Sequence, residues 1–221
     1  MVVRKGLTTE EVYQKIKEMI YCNQLAPGQK LIYNDLAKRL GVSMTPVVQA
    51  LNRMENSSLV KYMPNKGYFV GEITESEVEQ LFHAREALEI YIVPSVIANL
   101  NATSLDEIQQ AFSTHREAYD SRHNRGLILL DAKFHLKIAA FARNQVIYKM
   151  LKDIYEQLYL KYPQQYISDD RAKQVVAEHR IILKALRKKD VAEAVEAIRE
   201  HVKGGMSHVI RGLKPYTPFD L

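Results

Sequence analysis

Four side chains in this sequence have the types and spacing of a metal site. Asp131 and His135 stand four residues apart in an apolar run, with Leu127 and Ile128 one turn before and Ile138 and Ala139 one turn after. Positions i and i+4 share one face of an α-helix, so carboxylate and imidazole point together into the apolar side. His179 lies among Val175, Val176, Ile182 and Leu183, and His201 among Ala194, Ile198 and Gly205. Each is centred on the apolar stripe of its own helical pattern. Polar groups are expensive to bury unless they are satisfied. Three inward histidines and one inward aspartate, on three helices, therefore point to one enclosed site for a divalent metal. Nitrogen and carboxylate donors suit zinc, nickel or another first-row metal, and four protein ligands can leave positions open for a further ligand. Taken singly, each histidine reads first as a hydrogen-bonded core residue.

Other residues lie close to this pattern. Arg85 falls mid-stripe between Leu81, Phe82 and Leu88. A buried guanidinium needs an anion. That anion could be the carboxylate of a bound effector, gripped bidentately, or Glu89, one turn on. Tyr148, Tyr155 and Tyr159 run along one helical segment and either line a pocket or fill the core. His83, His115, His123 and His208 lack comparable support and read as surface or structural residues.

The helices that must carry these residues are marked by their caps. Thr74-Glu75-Ser76-Glu77 opens a long helix as a capping box, with Leu81, Phe82, Leu88, Ile92 and Val96 on its stripe and Pro94 where a kink could form. Ser104 to Glu107 caps a helix running toward Tyr119. The Asp131/His135 helix spans residues 127–142, Asn144 caps a tyrosine-rich helix, Ser168-Asp169-Asp170 starts the His179 helix, and Asp190 to Glu193 caps the His201 helix. No strand pattern follows Val70. Residues 74–212 thus read as six helices in an antiparallel bundle, with 213–221 as an irregular tail.

The first third of the chain reads differently. Thr8-Thr9-Glu10-Glu11 is a capping box before a helix with Val12, Ile16, Met19 and Ile20 on one face. Pro27-Gly28 turns the chain. A short helix from Tyr33 to Leu40 ends at Gly41, and the next starts at once, capped by Ser43 or Thr45 with Pro46 in its first turn. That tight pairing is a helix-turn-helix. Two strands, Leu59 to Tyr62 and Tyr68 to Val70, then flank the turn Pro64-Asn65-Lys66-Gly67. Residues 8–71 form a winged helix on this reading, and the fold class is mainly α.

Charge separates the two parts as well. Residues 1–72 carry ten Lys/Arg against six Asp/Glu, and the remaining 149 carry 21 against 20. The basic excess in the first third fits a polyanionic partner. Ser43, Thr45, Gln49, Asn52 and Arg53 could make polar contacts with DNA, while Lys38, Arg39, Lys61 and Lys66 could meet phosphates. The one cysteine, Cys22, excludes an internal disulfide and fits a reducing compartment. No run of 18 apolar residues and no signal-peptide stretch appears, so a cytoplasmic protein with no membrane partner is expected.

Two resemblances rest on these residues. Leu25 to Leu31, Leu36-Ala37, Gly41 to Leu51 and Gly67 to Val70 closely resemble, in order and spacing, the DNA-binding domain of GntR-family transcription regulators. The chain departs from that pattern where the family usually has arginine and this chain has Met44, and where arginine-glutamate is usual and this chain has Val48-Gln49. Ser57-Ser58 replaces an acidic-glycine pair. A bidentate arginine–guanine contact contributes on the order of 1–3 kcal/mol of discrimination. The departures therefore change specificity, weaken binding or remove it. Leu130 to His135, Glu178-His179 and Glu200-His201 resemble the metal pattern of the FCD ligand-binding domain of the FadR subgroup. That resemblance implies Asp131, His135, His179 and His201 as ligands of a divalent metal, often zinc or nickel, whose coordination a small carboxylate metabolite completes.

The expectation is a metabolite-responsive, homodimeric regulator, such as a repressor, on double-stranded operator DNA, with effector contacts at Arg85, Tyr148 and Tyr155. Two rivals follow from the same residues. One is a metal-dependent enzyme acting on hydroxy or keto acids. No second carboxylate or base stands beside the Asp131/His135 motif, and Lys133 and Lys137 should face away from it. The other is a regulator homologue that has lost sequence-specific DNA binding, suggested by Met44 and Val48.

Overall fold

The computed structural model describes residues 7–120, 126–162 and 169–213. Among them, nine helices and three strands fall into two compact units: Met1–Ile73 with Glu156–Pro163, and Thr74–Tyr155 with Gln164–Leu221.

In the first unit the order is α1 (Thr9–Tyr21), β1 (Lys30–Leu31), α2 (Tyr33–Leu40), α3 (Met44–Asn56), β2 (Val60–Met63) and β3 (Gly67–Val70). The Thr8 capping box forms: Thr8 Oγ1 accepts from the Glu11 amide, and Glu11 Oε2 accepts from the Thr8 amide at 2.7 Å. Gly41 ends α2 at φ 66°, and nothing lies within 4 Å of where its Cβ would stand. The left-handed backbone, not space, asks for glycine there. Ser43 is the residue before α3, but its side chain makes no capping bond. The three strands pair antiparallel in the order β1-β3-β2, with Leu31 opposite Tyr68 and Val60 opposite Val70. β1, two residues long, has no alternation for a sequence reading to detect.

Ile16, Leu51, Met54 and Leu59 are buried at the centre of this unit. Each contributes about 1.5–3 kcal/mol relative to full exposure. Leu160 joins the same cluster, Glu156 Oε1 lies 2.7 Å from Lys17 Nζ, and the Tyr159 ring meets Tyr21 edge-on. The last turn of the tyrosine-rich helix therefore belongs to the first unit, not to the bundle in which the sequence reading placed all of 74–212.

The second unit carries α4 (Glu75–Asn99), α5 (Ala102–Asp120), α6 (Leu127–Ala140), most of α7 (Gln145–Lys161), α8 (Asp169–Lys188) and α9 (Val191–Leu213). α4 packs on α6 and α9, α5 on α6 and α8, and α8 on α9. α4 runs through Pro94 to Asn99. Thr74, Asn144 and Asp190 cap as expected, accepting from the amides of Glu77, Ile147 and Glu193. α5 instead starts at Ala102, capped by Asn101 Oδ1 on the Ser104 amide, so Ser104 lies inside the helix. Ser168, expected to cap α8, and residues 214–221 of the expected tail lie outside the described residues. No described helix is long and apolar enough to cross a membrane.

Candidate metal centre

Three helices of the second unit deliver the four expected ligands to one point. Asp131 and His135 come from α6, His179 from α8 and His201 from α9, with ligand atoms all within 4.8 Å of one another. Asp131 Oδ1 is the hub: His179 Nε2 lies 3.0 Å from it, His201 Nε2 3.2 Å and His135 Nε2 3.8 Å. His135 Nε2 and His201 Nε2 are 3.0 Å apart. All three imidazoles are buried.

The opposite nitrogens show why these edges converge. His135 Nδ1 is 2.7 Å from Glu89 Oε2, and His201 Nδ1 is 2.8 Å from Glu178 Oε2. A carboxylate beside Nδ1 holds the proton there and leaves Nε2 as a lone pair. His179 Nδ1 faces His115 Nδ1 at 3.2 Å, while the Phe134 ring stacks on His179 with centroids 4.2 Å apart. The inner edges of His135 and His201 then present lone pairs to each other and to a carboxylate oxygen at hydrogen-bond distance. Acceptors cannot satisfy acceptors; a proton or a cation must lie among them. Three imidazole nitrogens and one carboxylate oxygen are a donor set for a first-row divalent metal.

A further layer fixes the orienting carboxylates. Glu89 Oε1 accepts from Arg85 Nε at 2.7 Å and from the Tyr155 hydroxyl at 2.5 Å. Glu178 accepts bidentately from Arg171, at 2.6 and 3.0 Å. Gly204 makes room for that guanidinium, since a Cβ there would stand 3.1 Å from Arg171 Nη1.

Electrostatics follow from this packing. Burial pushes the Asp131 carboxyl up, but the charges of Arg85 and His201 and the hydrogen bonds from His179 and His201 outweigh it and hold it well below the usual range. Burial lowers His135 and His179, and lowers His115 to about 4. His201 is raised: burial opposes its charge, yet Asp131 and Glu178 prevail.

Arg85 pairs through Nε with Glu89, the internal anion one turn on. Its guanidinium lies over the Tyr155 ring, and its Nη2 is 3.7 Å from Asp131 Oδ2 with no hydrogen-bond partner. One donor of a buried cation is thus aimed at the metal pocket. Tyr155 stands at the site. Tyr148 does not; it lines a separate groove with Lys133, Lys137 and Thr114. Tyr159 is in the first unit. Sequence reasoning missed Glu89 as an orienting group for His135, Glu178 for His201, and His115. The spacing Ile108, Phe112, His115 is a helical stripe and could have marked the last as buried.

In the first unit the expected DNA-contact residues separate into two groups. All nine are exposed; Lys38, Ser43, Thr45, Lys61 and Lys66 form one group, while Arg39 Nη2 donates to Gln24 Oε1 at 3.4 Å. Gln49 Oε1 accepts from Thr9 at 2.8 Å, the Asn52 carbonyl oxygen accepts from the Tyr68 hydroxyl, and Arg53 pairs with Glu10 while lying over the Tyr13 ring.

Comparison with known proteins bears on both units. Residues 8–70 match the family model for bacterial regulatory proteins, gntR family, and residues 80–204 match that of the FCD domain. An uncharacterized HTH-type transcriptional regulator of Bacillus subtilis (strain 168), YdhC, is 26% identical over 205 residues, 92% of this chain and 90% of its own length. The HTH-type transcriptional regulator McbR of Escherichia coli (strain K12) is 24% identical over 184 residues, 82% of this chain and 83% of its own. The solved structure of E. coli McbR/YncC superposes with a TM-score of 0.83 at 22% identity, covering 95% of this chain and all of that one. At that identity the superposition speaks for the fold.

Proposed function

Since the chain belongs to the GntR family of bacterial regulatory proteins and carries an FCD domain, and is a transcription regulator rather than an enzyme, we propose that it is a metabolite-responsive one. Residues 8–71 hold double-stranded operator DNA, and residues 74–212, less the end of α7, sense a small carboxylate at a divalent metal, zinc or nickel. The observation that carries the sensor half is the set of inward Nε2 atoms around Asp131 Oδ1, with Glu89 and Glu178 behind two of them.

Asp131, His135, His179 and His201 would hold the metal, which supplies a Lewis-acid centre for an anionic ligand. Arg85 Nη2 offers such a ligand a charge-assisted donor beside the metal. Glu89 keeps that guanidinium and His135 in place together. The operator is read by a homodimer on a two-fold symmetric site. For a carboxylate to regulate, it must bind the operator-free and operator-bound forms with different affinity.

The test is elemental analysis of tag-free protein beside the His135→Ala/His179→Ala double variant, followed by duplex retention with and without candidate carboxylates. Near-stoichiometric zinc or nickel that disappears in the variant, and a carboxylate that changes retention, are the expected results. Protein free of metal under non-stripping conditions would overturn the metal sensor. Retention equal with every carboxylate would overturn the switch.

A further inference from the structure

The face that α3 presents carries no arginine. No lysine or arginine stands between Leu40 and Asn52. Val47, Ala50, Leu51 and Met54 are buried, leaving Met44, Thr45, Val48, Gln49 and Asn52 on the outward side. Met44, the first residue of α3, is half-exposed. Arg53, the nearest cation on the helix, is held by Glu10 and Tyr13.

The two amides on this face are also committed. The Gln49 and Asn52 carbonyl oxygens accept from Thr9 and Tyr68, which turns each carbonyl toward a neighbour and leaves the NH2 donors without a partner in that contact. Bidentate reading of adenine needs the carbonyl and the NH2 of one amide aimed together at the base, whereas here each carbonyl is turned toward Thr9 or Tyr68. The face therefore offers methyl and methylene surface together with donors. In the major groove each base presents a distinct edge. Thymine shows an acceptor, O4, and a C5 methyl; guanine shows two acceptors and no methyl; cytosine shows a donor. Thymine alone answers both features.

We infer that α3 reads thymine, with Met44 and Val48 packing on C5 methyl groups and the amide donors of Gln49 or Asn52 available to O4. This rests on residues 8–71 being an operator-binding domain, in which the first residues of the second helix meet base edges. Lys38 and Arg39 at the end of α2, with Lys61 and Lys66 on the hairpin, supply the positive charge that favours DNA over an apolar protein partner for this face.

The full chain is used to select duplexes from a random-sequence pool, and each thymine of the selected half-site is then replaced by uracil. The expected result is thymine under α3 and roughly fourfold weaker binding for each methyl removed. Met44→Ala, at an exposed position and checked by an unchanged melting temperature, should lose the uracil penalty at the thymine under Met44 and keep it at a thymine under Val48. Met44→Arg should move the preference toward guanine. Retention that is salt-dependent but indifferent to uracil, or guanine under α3 with Met44→Ala binding as the parent does, would overturn the thymine readout and leave DNA binding intact. Failure to retain any duplex at low salt would overturn both.

Discussion

His115 Nδ1 faces His179 Nδ1 at 3.2 Å, on the side of the His179 ring opposite Asp131. One nitrogen must donate and the other accept. If His179 is to offer its Nε2 lone pair to a metal, its proton sits on Nδ1 and His115 accepts it. His115 then does for His179 what Glu89 and Glu178 do for the other two imidazoles. Losing an outer partner of this kind typically lowers metal affinity 10–100-fold. His115→Leu should show that loss in competition against a chelator. His115→Asn, whose Oδ1 can accept in place of Nδ1, should recover most of it. Equal losses in both variants would assign His115 to packing alone.

Glu89 satisfies three buried donors at once: Arg85 Nε, the Tyr155 hydroxyl and His135 Nδ1. Removing one partner of a buried ion pair costs on the order of 3–5 kcal/mol, because the other charge stays buried. Glu89→Ala should lower stability by about that amount, read as a fall in the urea midpoint of metal-stripped protein. Glu89→Gln keeps an acceptor but not the charge and should fall between parent and alanine variant. An alanine variant as stable as the parent would mean that Arg85 has another anion.

The way this site divides between visible and invisible residues has a physical cause. Asp131 and His135 are legible because one helical turn separates them within an apolar run, and His179 and His201 because each interrupts an apolar stripe. Glu89 and Glu178 are ordinary acids in helices rich in charge; only the folded contacts make them orienting groups. Local pattern also fails where a segment is shared: nothing in the spacing of Tyr148, Tyr155 and Tyr159 tells that Tyr155 reaches Glu89 while Tyr159 packs with Tyr21. The winged helix was readable nearly throughout because turns and caps punctuate it, β1 excepted. Its outward residues were not, since Gln49, Asn52 and Arg53 are polar in sequence whether or not a neighbour has claimed them.

Acid should unfold the metal-stripped protein through its imidazoles. His115, His135 and His179 are lowered by burial, His115 to about 4, so each binds its proton less readily folded than unfolded, and unfolding takes up protons below their ordinary value of 6.5. Their full contribution holds above about pH 6.5 and is lost as pH falls toward the folded values. His201 runs the other way: its folded value is raised, so its contribution is present below 6.5 and lost as pH rises through that value. Three groups oppose one, and stability should drop between about pH 6.5 and 4. A urea midpoint at pH 5 equal to or above that at pH 7 would contradict this.

The exposed cations and the tied one should differ in how they respond to salt. Each phosphate neutralised on duplex DNA contributes about −0.9 to the slope of log K against log salt. Lys38, Lys61 and Lys66 are exposed, whereas Arg53 is committed to Glu10 and to the Tyr13 ring. Alanine at a lysine that meets phosphate should make the slope shallower by about one. Arg53→Ala should leave it unchanged, because no phosphate contact is lost. Glu10→Gln, which removes the carboxylate that holds Arg53, should strengthen binding at low salt and steepen the slope. If Arg53→Ala instead made the slope shallower, the Glu10 pair would have to open on DNA, and Arg53 would join the lysines as a phosphate contact rather than one of the polar contacts that its position on α3 first suggested.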